Sequence, residues 1–94
     1  MQRNETASRI ALAVRSIWLS LQSSRSALQV AKAAIAQADE NLRETRERYR
    51  EQVVTNTEVL DAETLRIQTY TDYYNAFYAV LQDQFRLRRA AGVL

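Results

Sequence analysis

The sequence predicts an all-α chain folded as a long antiparallel two-helix coiled-coil hairpin. Three observations carry that expectation. The 94 residues contain one glycine, Gly92, and no proline, so there is almost no material for tight turns, bulges or many loops. Ala, Leu, Gln, Glu and Arg, the strong helix formers, dominate throughout. Apolar residues recur at coiled-coil spacing in two long runs, and the pattern falters once, near residues 52–55.

The first run predicts a helix over about residues 4–51. Ile10, Val14, Ile17, Leu21, Ser24, Leu28, Ala31, Ile35, Ala38, Leu42, Thr45 and Tyr49 alternate four and three apart, a heptad seam held for more than five repeats. Such a helix is about 70 Å long at 1.5 Å per residue. It cannot bury that seam against itself and requires a partner helix. On its exposed face, 39-DENLRETRERYRE-51 places Glu40/Arg43, Arg43/Glu47 and Glu44/Arg48 three or four apart, each pair supporting the helix by roughly 0.2–0.5 kcal/mol.

The turn, about residues 52–55, carries its own chemistry. Thr55 followed by Glu58 has the spacing of a capping box, and Val54 and Val59 occupy the positions of a hydrophobic staple. No glycine stands where a left-handed residue normally ends a helix. Either Gln52 fills that role or helix one ends differently. A connection this short makes the two helices antiparallel neighbours.

The second run predicts a helix over about residues 56–91, stopped by Gly92 as a left-handed cap. Leu60, Ile67, Tyr74 and Leu81 recur every seven, interleaved with Tyr70 and Phe77, and Val59, Tyr73, Val80 and Leu87 form an adjacent stripe. There is more apolar surface than one hairpin needs. Ala13, Ser20, Ala27 and Ala34 form a ladder of small residues, Ala7, Ala11 and Trp18 lie on the other flank, and 70-YTDYYNAFY-78 is broadly aromatic. Either this surplus broadens the core of one hairpin, or further helices pack beside it.

Charge and composition exclude several function classes. The chain carries 13 basic and 11 acidic residues, a net +2. Its pI of 9.3 reflects twelve arginines interleaved with acids on solvated helix faces, not a phosphate track. Tyr70, Tyr73, Tyr74 and Tyr78 lack an adjoining basic track and read as packing residues, not as a stacking platform. Arg86, Arg88 and Arg89 suit the C-terminal end of a helix. With no His, no Cys and no Gly-rich loop, the chain is predicted to be no enzyme and to hold neither cofactor nor metal. It has no apolar run of about 18 residues and no signal peptide, so it is expected to be soluble and, if its parent is exported, to be a fragment.

The remaining chemistry lies just after the turn. Glu58 and Asp61 stand three apart, hence on one helix face. Each suits the first turn of a helix, Glu58 as a cap and Asp61 by its charge. In a threefold assembly the same two residues bring six carboxylates toward one axis, where they repel and attract cations.

The segments 47-ERYREQ-52, 58-EVLDAET-64 and 89-RAAGVL-94, in that order and spacing, resemble the TolC-like outer-membrane efflux proteins, or outer-membrane factors. In that family a helix ends in an "ARYxxG" type segment, followed by a turn, "DVLDA", and a return helix closing with a small residue, Gly and Leu. The resemblance covers nearly the whole chain and is nearest to the family's C-terminal hairpin. It implies a homotrimer in the parent, whose twelve helices form a periplasmic α-barrel beneath an outer-membrane β-barrel. It further implies that the turn, Gln52, Val53, Val54, Thr55, Asn56 and Thr57, forms the tunnel entrance. There it would dock a membrane fusion (adaptor) protein and an inner-membrane pump. Glu58 and Asp61 match acids that ring the entrance, and Tyr49 matches a tyrosine that in some members helps hold it closed. Gln52 replaces the family's turn glycine, and Val54 a basic turn residue of some members. Localisation in the periplasmic part of a bacterial outer-membrane protein follows from the same resemblance. The other function expected of such a chain is a free-standing antiparallel coiled coil that self-associates and scaffolds a complex.

Overall fold

The computed structural model describes residues 2–92, which form an all-α helical hairpin. Helix α1 spans Gln2–Arg50, 49 residues, and helix α2 spans Asn56–Gly92, 37 residues. Their contacts group into two units. The turn unit, residues 29–75, holds the C-terminal part of α1, the turn and the N-terminal part of α2. The terminal unit, residues 1–28 and 76–94, pairs the N-terminal part of α1 with the C-terminal part of α2.

The heptad pattern of α1 is its packing seam. From Ile10 to Thr45 every seam residue is buried or half-buried, with Leu21, Ala38 and Leu42 the most enclosed. The seam stops one step early. Tyr49, the next position of the seam, is exposed.

On α2 most of the more hydrophobic stripe does not pack, although Tyr70 and Leu81 of that set are half-buried. Leu60, Ile67 and Tyr74 are 52%, 66% and 56% exposed, and Phe77 is also exposed. The seam is made by Val59, Tyr73, Val80 and Leu87, alternating with Ala62, Thr69, Ala76, Asp83 and Ala90. The physical reason is complementarity of size. The seam of α1 is rich in Ile and Leu, and small residues on the facing helix let the two backbones approach and the large side chains interdigitate.

The turn resolves the question of how α1 ends. Gln52 adopts a left-handed conformation, φ 62°. The Val53 N–H donates to the Arg48 carbonyl at 2.9 Å and the Gln52 N–H to the Tyr49 carbonyl at 3.0 Å. That pair of bonds is a Schellman motif, built here on a residue with a side chain. Left-handed backbone costs an ordinary residue roughly 1–2 kcal/mol relative to helix. Gln52→Gly removes that penalty but frees the unfolded chain. The variant is expected to melt several degrees higher than the parent by circular dichroism, and a lower melting temperature contradicts the assignment.

Helix α2 begins with half of the predicted capping box. The Thr55 hydroxyl accepts from the Glu58 N–H at 3.3 Å, a cap worth about 0.5–2 kcal/mol. The reciprocal bond, from the Thr55 N–H to the Glu58 carboxylate, is not formed among the described residues. Val59 is buried and Val54 half-buried, as a staple at this turn requires. At the other end Gly92 is helical, the last described residue of α2, and is not left-handed, so it does not act as the predicted cap.

Candidate functional site

The turn presents a compact set of exposed groups. Gln52, Val53, Thr55, Asn56 and Thr57 are all exposed, and Val54 alone is half-buried. Val53 would close the Schellman motif with an apolar contact to the preceding turn, but that turn offers Glu47 and Arg48. Its side chain is instead 69% exposed, an apolar group facing water at the apex of the chain.

Glu58 and Asp61 follow on the first two turns of α2, both exposed and on one face. Neither forms an ion pair among the described residues, in contrast to Asp39, Glu40, Glu47, Glu63 and Asp83. Their charges are therefore available to something outside the chain. Two carboxylates from one chain do not make a metal site, and among the described residues no group of three potential metal ligands assembles. Tyr49, at the end of α1, has its ring half in solvent and its hydroxyl without a hydrogen-bond partner among the described residues.

Behind the turn, the two flanks of the seam differ. The 100° step of a helix puts Asp39, Arg43 and Arg46 of α1 on one side of the seam and Ala34, Gln37 and Asn41 on the other. The first flank is bridged to α2. The Arg66 Nε donates to Asp39 Oδ1 at 2.7 Å, the Tyr70 hydroxyl donates to Asp39 Oδ2 at 3.2 Å, and Arg46 reaches Glu63 at 3.3 Å. The Arg66 guanidinium also lies 4.8 Å from the Tyr70 ring centre, and its hydrogen bond to Asp39 pushes its pKa up. Further along, Arg43 holds Glu40 through two bonds, 3.0 and 2.5 Å, and reaches Glu47 at 2.9 Å. The hydrogen bond from Arg43 holds Glu40 below the usual carboxylate range. Of the three pairs predicted on this segment, Glu44/Arg48 does not form.

The second flank has no such bridge. It is an open groove of about 520 Å³ whose lining includes Ala34, Ala38, Leu65 and Thr69, with Glu40 and Glu44 at its edge. Ala34, Ala38 and Thr69 are small, and small residues along a helix edge let another helix approach closely.

Two polar centres went unnoticed at the level of sequence. Asp39 joins both helices through Arg66 and Tyr70, and Asp83 is buried in the terminal unit, 6% exposed. Asp83 falls on the seam position shared with Ala62, Thr69, Ala76 and Ala90, so the heptad spacing itself was the available signal.

With this geometry in view, neither protein-family models, nor curated proteins, nor solved structures provide a match to the chain. No described helix is long and apolar enough to cross a membrane.

Proposed function

We propose that the chain is a helical-hairpin segment of a TolC-like outer-membrane export channel, with its turn at the periplasmic entrance and docking an adaptor protein. The observation that carries this reading is incomplete burial. No large side chain among the described residues is fully enclosed, whereas Leu12, Trp18, Leu19 and Val30 of α1 and Leu60, Ile67, Tyr74 and Phe85 of α2 lie open. Helices with that much apolar surface are built to be covered on more than one face. An α-barrel supplies such cover from neighbouring hairpins.

The apex fits docking better than closing. Val53 projects an apolar contact, the surrounding side chains are polar, and Glu58 and Asp61 carry unpaired charge. A threefold arrangement would bring six such acids toward one axis. Tyr49 has no side-chain hydrogen bond among the described residues that would hold an entrance shut.

A self-associating coiled-coil scaffold is the second reading, and the same open apolar surface supports it. A photo-crosslinking residue at Val53 in the full-length parent separates the two. Adducts with a periplasmic adaptor protein are expected, and adducts formed only between copies of this chain would favour the scaffold. The gene gives an independent check: its reading frame should encode an export signal, a second similar hairpin and amphipathic strands.

A further inference from the structure

Three polar side chains are buried among the described residues: Thr45, Thr69 and Asp83. The two threonines satisfy themselves. Thr45 donates to the Asn41 carbonyl at 2.7 Å and Thr69 to the Leu65 carbonyl at 2.8 Å, each one turn back on its own helix. They place no demand on the helix opposite. Asp83 does. Its Oδ2 accepts from the Ser20 hydroxyl at 3.1 Å and from the Ser24 hydroxyl, both on α1. The Ser24 oxygen also lies 3.0 Å from the Ser20 carbonyl, but its single proton goes to the carboxylate, the stronger acceptor. Arg86, on the same helix as Asp83 and largely exposed, adds a longer ion pair at 3.6 Å.

The apolar pattern of α1 is nearly periodic by seven and does not by itself choose a register. A slip of one heptad sets Ala13 and Ile17, or Ala27 and Ala31, opposite Asp83 in place of Ser20 and Ser24. Apolar packing would tolerate either arrangement. Neither supplies a donor, and a buried carboxylate without one is strongly destabilising.

We infer that Asp83 selects its helical partner. It admits opposite the C-terminal part of α2 only a helix presenting two hydroxyls one turn apart, which Ser20 and Ser24 do and the heptad-shifted registers of α1 do not. The same condition applies to α1 of a second copy. A chain with large open apolar faces thereby keeps one pairing while remaining adhesive elsewhere. The inference is independent of where the chain acts.

The test uses the full chain with spin labels at the exposed positions of Arg25 and Arg88, together with thermal melts. The parent should give one narrow distance. Asp83→Leu should remain helical and at least as heat-stable, because apolar replacement of a buried charge is often neutral or stabilising. Its distance distribution should nevertheless broaden or gain a population displaced by up to about 10 Å, seven residues of helical rise. Asp83→Asn, which keeps an acceptor oxygen, should retain the narrow distance. This variant also covers the case in which the leucine chain does not fold. Ser20→Ala/Ser24→Ala should lower the melting temperature by at least about 5 °C, and adding Asp83→Leu should restore it. A single parental distance in Asp83→Leu, or an unchanged melting temperature in the double alanine variant, overturns the proposal.

Discussion

Replacing Leu60, Ile67 and Tyr74 together with glutamate is expected to weaken self-association of the chain more than a thousandfold while leaving its helix content unchanged. All three lie on one stripe of α2, spaced by seven and more than half exposed, so none supports the pairing with α1. Glutamate is a good helix former, and the substitutions should not disturb α2 itself. Burial of each apolar side chain in an intermolecular contact contributes about 1.5–3 kcal/mol. Losing all three removes about 5 kcal/mol or more, and each 1.4 kcal/mol is a factor of ten in affinity. Sedimentation equilibrium over a wide range of concentration reads the change directly. A parent chain that stays monomeric at hundreds of micromolar would show that this stripe is not an interface.

The second large effect separates the two candidate seams of the hairpin. Leu42 is 5% exposed on the seam of α1, whereas Ile67 is 66% exposed on α2. Leu42→Ala leaves a cavity and should cost 2–4 kcal/mol, within the range of about 2–5 for buried leucines. At roughly 4–8 °C per kcal/mol for a chain of this size, the melting temperature should fall by about 8–32 °C. Ile67→Ala should stay within about 0.5 kcal/mol of the parent, as surface substitutions do. Both are measured in dilute solution, where association does not mask the difference. Equal losses at the two positions would show that the exposed stripe of α2 is structural within the single chain.

That contrast also marks what was legible in the residues. The seam of α1 could be read from spacing alone, because its apolar residues are large, regular and flanked by charge. The seam of α2 could not be read by ranking hydrophobicity. Its packing positions include Ala62, Thr69, Ala76 and Asp83, chosen for size and for one hydrogen-bonded layer, and most of the strongest apolar stripe faces outward. The left-handed end of α1 was foreseen as one of two options, since only Gln52 stood where a glycine was wanted. Its cost is met by two backbone hydrogen bonds that sequence does not display. The exposure of Tyr49 is a tertiary fact that its seam spacing does not display. Gly92 suggested a cap by composition, yet the helix simply includes it. At the apex, Glu58 and Asp61 were found as candidates by spacing, and the structure adds that both are unpaired. Asp39 and Asp83 escaped notice because a lone acid in a helical run reads as solvated surface until its cross-helix partners are known.

The unequal flanks of the turn unit have a geometric consequence for any assembly built from it. One flank is closed by Asp39, Arg66, Tyr70, Arg46 and Glu63, and the other is an unbridged groove lined by Ala34, Ala38, Leu65 and Thr69. Two unlike edges cannot be matched to each other by a twofold axis. Copies that seat the bridged flank of one on the groove of the next all point the same way around, and such head-to-tail contacts end either in a closed ring or in an open filament.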